Sequence, residues 1–317
     1  MRIAVIGLGL IGGSLLRALA AAGHEVIGYD ADPATRELAR AAGYRVLGSA
    51  PAAVDGTDVA ALAVPLPVLP KVLADLAGYD GLVTDVTSVK SPVRALAEEH
   101  RVRRFVGGHP MAGTEASGFA AADSELFTGC VWVLCVEPHG TDLADWLTLA
   151  RLYTGLGARV LPITAAEHDN AVASISHVPH LLAAALAGKL GSPLNEALAA
   201  GSFRDGSRVA GTRAELTAAM CGGNATEVAR ELRQVIGDLE AMLRDLESPD
   251  PVRALIPALE RAGELRRDWP PKPGVPGVLT GPAARTLLEL GRAGGWVTGI
   301  GTDDILTMRP ESDRYSS

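Results

Sequence analysis

Arg2-Ile-Ala-Val-Ile-Gly7-Leu-Gly9-Leu-Ile-Gly12-Gly-Ser14 opens the chain, and the rest of the molecule is organised around it. Arg2–Ile6 is a short run of strand-forming residues, and a helical pattern follows from about Gly12 to Ala22. The glycine spacing suits the turn between them. Gly7 permits the tight turn, Gly9 leaves the backbone open to a pyrophosphate, and Gly12 lets helix and strand pack closely, with Leu10 and Ile11 bordering the same cofactor loop. Phosphates placed there would meet unpaired N–H groups and the positive end of a helix. A second apolar run, Glu25–Tyr29, ends at Asp30, 18 residues after Gly12. The Asp30 carboxylate suits the ribose hydroxyls of an adenosine. Its charge, joined by that of Asp32, repels a 2′-phosphate, so the pattern predicts NAD rather than NADP. Asp32, directly before Pro33, caps the next helix and leaves Asp30 for the ribose. Val64 and Pro65 end another strand and line the nicotinamide side.

Apolar runs and helical patterns then alternate as far as Thr164, which predicts βαβ units on a parallel sheet. The strands are Arg2–Ile6, Glu25–Tyr29, Val59–Val64, Leu82–Val86, Phe105–Gly107, Val131–Val136 and Arg159–Ile163. Ser91-Pro92 reads as a helix cap followed by a first-turn proline. From residue 165 to about 267 the pattern is almost wholly helical, with Gly-rich breaks at 201–206 and 222–223, a Ser-Pro-Asp-Pro break at 248–251, and Ala and Leu stripes that suit either a dimer interface or a monomer core. The expected fold is therefore α/β. A Rossmann dinucleotide-binding domain (1–164) precedes an all-α domain (165–267), then a linker and small C-terminal tail (268–317), with residues 277–310 a small β-α-β piece.

Composition narrows the function. The formal net charge is −8 with no basic block, which argues against a nucleic-acid partner. Three cysteines without a CxxC pair read as reduced thiols, and a strand starting at Arg2 leaves no room for a signal peptide. Neither feature points to a membrane, and the expected location is cytoplasmic.

The chemistry concentrates in four short stretches. Gly107-Gly-His109-Pro-Met-Ala-Gly-Thr114-Glu115 puts a histidine on a glycine-rich loop after an apolar strand, where an imidazole can serve as acid or base. Asp85-Val-Thr-Ser88-Val-Lys90 ends another strand at the ligand crevice of an open sheet. Ser88 can hydrogen-bond His109 or a substrate hydroxyl, Thr87 can cap the next helix, and Lys90 can reach a phosphate or pair with Asp85. Ser176-His177-Val-Pro-His180 places two imidazoles beside a proline kink. His168 is the only nearby third histidine and no fourth ligand has matching spacing, so no metal is expected. Phe203-Arg-Asp-Gly-Ser-Arg208, with Arg213, offers guanidinium groups for a carboxylate or for surface pairing with Asp205 and Glu215.

These motifs, in this order, resemble the prephenate/arogenate dehydrogenases of tyrosine biosynthesis over roughly residues 1–265. The resemblance implies an oxidoreductase: a prephenate dehydrogenase carrying out the NAD-dependent oxidative decarboxylation of prephenate to 4-hydroxyphenylpyruvate. It also implies a helical dimerisation domain, hence a homodimer. By motif position His109 is the catalytic base and Ser88 orients it and the nicotinamide. His180 and Arg208 hold the substrate, Glu115 belongs to an ionic network at the cleft, and Thr114 and Arg213 are counted with the substrate residues. Arogenate, or both substrates as in a cyclohexadienyl dehydrogenase, is the alternative. A β-hydroxyacid-type dehydrogenase fits less well, since Lys189 is the only lysine in the helical part, and a non-catalytic NAD-binding regulator would not need Ser88, His109 and Arg208 together. The residues after the linker are too few for a full ACT regulatory domain.

Overall fold

The structure, a computed structural model, describes residues 1–113 and 116–311. Five parallel strands, β1 (Arg2–Ile6), β2 (Glu25–Tyr29), β3 (Val59–Leu62), β4 (Leu82–Asp85) and β5 (Phe105–Val106), form a sheet in the order β2-β1-β3-β4-β5. Their residues are almost all apolar because both faces are covered. Helices α1 (Leu10–Ala21), α2 (Pro33–Ala41), α3 (Ala50–Val54), α4 (Leu69–Asp75) and α5 (Ser91–Glu99) make the crossovers. The strand order reverses between β1 and β3, so the ligand crevice opens at their carboxyl ends, beside Gly7 and Val64.

The chain leaves this sheet at Gly107 and starts a second one. β6 (Gly108–Pro110) pairs antiparallel with β7 (Val131–Cys135), setting His109 opposite Val133. His109 is thus held in a strand and not on a loop, a correction to the sequence reading, in which two glycines masked a strand of three residues. A Cβ on Gly108 would lie 2.8 Å from the Asp85 carbonyl and 3.1 Å from Trp132 Nε1, so only glycine lets β6 approach the end of β4. Helix α6 (Leu143–Gly155) and β8 (Arg159–Ile163) follow, β8 parallel to β7.

The helical half begins at a capping box in which Thr164 and Glu167 satisfy each other's ends of α7 (Ala165–Val172). A π-helical turn, Ala173–His177, joins α7 to α8 (Val178–Ala187). Pro179 sits in the first turn of α8, where its missing N–H costs little, and the helix irregularity lies just before it. The run Ala165–Ala187 is long and apolar enough by composition to cross a membrane. Its His168, Asp169 and His177 are nevertheless buried against polar groups, as in a helix packed within protein. Helices α9 (Pro193–Leu198), α10 (Gly201–Ser207), α11 (Ala214–Gly223), α12 (Ala225–Leu246) and α13 (Pro251–Arg267) complete this half. Its own core is small, built on Ala173, Val178 and Val228.

The stretch read as linker and tail extends the second sheet. β9 (Pro273–Thr280), α14 (Ala284–Arg292), β10 (Trp296–Ile300) and β11 (Asp304–Pro310) give the order β6-β7-β8-β10-β11-β9. Leu287, Leu288, Leu290, Val297 and Ile305 share one core with β1, β7 and α6. Arg292 of α14 also pairs with Glu167 at 2.5 Å, tying this segment to the start of α7.

Candidate active site

The nucleotide cradle is made at the end of β1. Gly7 has φ +96°, and a Cβ there would lie 2.4 Å from the Ala63 carbonyl; a Cβ on Gly12 would meet the Gly7 carbonyl at 1.9 Å. A Cβ on Gly9 would meet nothing within 4 Å, and no side chain caps the start of α1, so open space faces unpaired N–H groups of the first turn at Leu10 and Ile11. Asp30 is bound into this loop, its Oδ2 accepting from the Leu8 N–H at 2.7 Å and its Oδ1 from the Asp32 N–H at 2.8 Å. Asp32 caps α2 by accepting from the N–H groups of Ala34 and Thr35. Val64 lies against Gly7, and Pro65 is exposed directly after it. A dinucleotide fits this set: the clear helix start takes phosphates, and carboxylate lone pairs of Asp30 remain for ribose hydroxyls.

The chemical side centres on a buried ion pair. Lys90 is 1% exposed and Asp85 0%. The Lys90 ammonium donates to Asp85 Oδ2, to Thr87 Oγ1 at 3.1 Å and to the Gly108 carbonyl at 2.6 Å. The other Asp85 oxygen accepts from the Gly108 N–H at 3.1 Å. All three ammonium donors are therefore engaged in fixing β6 to the end of β4, and Lys90 is not placed to reach a phosphate. The Thr87 hydroxyl likewise donates to Asp85 and does not cap α5.

His109, next to Gly108, is half-buried, and its Nδ1 lies 2.8 Å from His168 Nε2. His168 Nδ1 is 2.8 Å from Asp169 Oδ1. Asp169 reaches back to the first domain: Oδ1 accepts from the Lys90 N–H and Oδ2 from the Ser91 N–H, each at 2.7 Å. The sequence reading made Ser91 the cap of α5. In the structure Ser91 is its first residue, and a carboxylate from α7 takes up the free N–H groups instead. Ser88 was expected to meet His109 or a substrate hydroxyl; the partner of His109 Nδ1 is His168. Ser88 is half-buried on the β4–α5 loop, its main chain lying against the ring of His177. Asn224 completes the junction, donating to the Asp169 carbonyl at 2.7 Å and lying 3.3 Å from His177 Nδ1.

Burial keeps these imidazoles neutral. It pushes His109 well below the usual imidazole range, helped by His168, Lys90 and His177 nearby. Burial also lowers His168, against a smaller upward pull from Asp169, and lowers His177 to about 4. Burial opposes the Asp169 charge, but hydrogen bonds from His168, Ser91 and Lys90 outweigh it and hold the carboxyl below its usual range.

The substrate candidates lie around α8. His180 Nδ1 is 2.8 Å from the Ser176 carbonyl. Arg208 is exposed in the turn Arg208–Gly211, which packs on α8. Arg213 precedes α11 and pairs with Glu215 at 3.9 Å, both well exposed. Thr114 and Glu115 lie outside the described residues. His168 and Asp169 were missed as site residues. The capping box at Thr164 and Glu167 was the available signal, since it sets the helix start that aims this His-Asp pair at the sheet.

Residues 15–162 match the family model described as prephenate dehydrogenase, nucleotide-binding domain, and residues 164–255 match prephenate dehydrogenase, dimerization domain. The prephenate dehydrogenase of Lactococcus lactis subsp. cremoris is 35% identical over 226 residues, covering 66% of this chain and 61% of that protein, so the match spans less than two thirds of that relative. The crystal structure of prephenate dehydrogenase from A. aeolicus in complex with hydroxyphenyl propionate and NAD+ superposes with a TM-score of 0.79 at 25% identity, covering 84% of this chain and 98% of that one. The Synechocystis arogenate dehydrogenase structure gives 0.72 at 32% identity, over 85% and 100%.

Proposed function

The chain belongs to the prephenate dehydrogenase family, and on that premise we propose that it oxidises and decarboxylates prephenate to 4-hydroxyphenylpyruvate with NAD as acceptor. The observation that carries this reading is the half-buried His109, its Nδ1 2.8 Å from His168 Nε2 and its other ring nitrogen without a hydrogen-bond partner among the described residues. When bound, NAD supplies the hydride acceptor. The chain's own residues bind, orient and move one proton. His109 takes the hydroxyl proton as the ring C–O becomes a carbonyl. The carboxylate then leaves as carbon dioxide, the ring becomes aromatic, and His109 returns the proton to the oxygen. Ser88 orients the reacting groups from the β4–α5 loop. His180 and Arg208 hold the substrate, Arg208 pairing with a carboxylate, with Thr114 and Arg213 counted beside them and Glu115 assigned to an ionic network at the cleft.

NAD is chosen over NADP because the Asp30 carboxylate, bound to the Leu8 N–H beside the cradle, suits ribose hydroxyls and repels a 2′-phosphate. The complex of the A. aeolicus enzyme with NAD+ supports this choice. Arogenate is a second reading, favoured by the likeness to the Synechocystis arogenate dehydrogenase. We assign residues 1–164 to cofactor binding and 165–267 to substrate binding and dimerisation. Ile236, Leu239, Leu243 and Leu246 form one stripe along α12 with relative exposures of 45–56%, which suits a homodimer interface. We place the protein in the cytoplasm, bound to neither nucleic acid nor membrane.

Initial rates of NADH or NADPH formation, with prephenate and arogenate each paired with NAD and NADP, test the reading. The expected result is turnover with prephenate and NAD; inertness toward both substrates would sink it.

A further inference from the structure

We propose, within the dehydrogenase reading above, that Asp169 and His168 are positioning residues: they fix the tautomer of His109 and so tie the base's readiness to the docking of the helical half on the sheet. The argument is one of donors and acceptors. An ionised carboxylate only accepts, so His168 Nδ1 must carry the proton shared with Asp169 Oδ1. A neutral His168 then has a bare Nε2, which can only accept. His109 Nδ1, 2.8 Å away, must be the donor, and this leaves the lone pair of His109 on Nε2. The chain Asp169–His168–His109 thus selects the one tautomer able to take a proton from a substrate hydroxyl.

The charged and titratable groups facing the pair agree with neutral rings. Lys90 and His177 lie close to His109, and Lys90 and Asp85 to His168. The Lys90 ammonium is already committed to Asp85 and the Gly108 carbonyl, and its charge disfavours a second cation beside it.

The same carboxylate does a second job. Its two oxygens accept the N–H groups of Lys90 and Ser91, where α5 starts. The partners are 79 and 78 residues apart in sequence and belong to different halves of the molecule. The contact that seats α7 on the sheet is therefore the contact that orients His168. A displaced helical half would leave His168 free to present Nε2–H, and His109 would then hold its proton on Nε2 and lose its basic face.

Histidine-selective nitrogen NMR on the full chain, without substrate, reads the tautomer directly. His109 is expected to be protonated on Nδ1 in the wild type and to shift toward Nε2 protonation in Asp169→Asn and His168→Leu. The kinetic readout is a kcat lowered by about 10²-fold in both variants, with KM changed by less than about threefold. His168→Gln, whose amide oxygen can accept the same proton, should stay within about tenfold of wild type. If Asp169→Asn does not fold, the His168→Gln and His168→Leu pair decides, because neither touches the bonds from Asp169 to α5. The proposal is overturned if wild-type His109 carries its proton on Nε2, or if Gln and Leu at 168 are equally damaging or equally harmless. Absence of turnover in the wild type would remove the dehydrogenase reading, while the NMR assignment would still judge the tautomer relay.

Discussion

The cradle for the cofactor and the site for the chemistry are built on different length scales. Most of the cradle closes within 30 residues: Gly7, Gly12 and Asp30 meet through neighbouring strands, the hydrogen bond from Leu8 to Asp30 joins residues 22 apart, and Ala63 and Val64 at the end of β3 complete it. The chemical site is assembled across the molecule. His109 and His168 are 59 residues apart, and Asp169 and Lys90 are 79 apart. The first depends on the local path of the chain, the second on how two halves dock. A change in one should therefore leave the other intact, and each test below exploits that separation.

The largest effect belongs to His109. His109→Asn is expected to lower kcat by about 10²–10⁴-fold while substrate binding, measured by calorimetry, and NAD binding stay close to wild type. Equal losses in turnover and NAD affinity would show that the two regions are not separable. Lys90→Met comes next, through stability and not through ligand contact. It leaves Asp85 buried without its cation, and denaturant unfolding should show a loss of about 3–5 kcal/mol. A variant as stable as wild type would mean that the pair is better solvated than its burial implies. Asp30→Ala acts on the cradle alone. It should weaken NAD binding by about 1.5–3 kcal/mol and narrow the preference over NADP, with the histidine network undisturbed.

The last test is the dependence of stability on pH. Burial lowers His177 to about 4 in the folded chain, against an ordinary 6.5. As the pH falls, the unfolded chain takes up this proton first. The stability is therefore complete above 6.5 and is lost as the pH falls from 6.5 through about 4. Thermal unfolding recorded across that interval should show the decline, and His177→Phe should lessen its slope, the remainder coming from His109 and His168, which burial also lowers.

This division also explains what the sequence made legible. The glycine spacing, Asp30 and the alternation of strand and helix patterns are local signals, and they suffice for the parallel sheet and its cradle. His109 was legible as a candidate, but its strand was not: β6 is three residues long and contains Gly108 and Pro110, residues that ordinarily mark a turn. Ser91 looked like a cap because the sequence cannot reveal that Asp169 arrives from α7 to do that work. The capping box at Thr164 and Glu167 marks the helix start that carries His168, but the contact with His109 exists only once α7 is seated on the sheet. The C-terminal strands were illegible for a similar reason. β10 joins β8 through Val297 and Val160, residues 137 positions apart, and β9 opens with Pro273 and Gly274.

The account rests on a neutral imidazole at 109 acting as the base, and the pH profile of kcat/KM for NADH formation from prephenate tests it most directly. Burial holds His109 well below 6.5, and only the neutral ring can accept a proton. The rate should therefore persist as the pH drops through 6.5 and fall only at lower pH, with the acid limb absent from the residual activity of His109→Asn. An acid limb at or above 6.5, or the same limb in wild type and His109→Asn, would contradict the assignment.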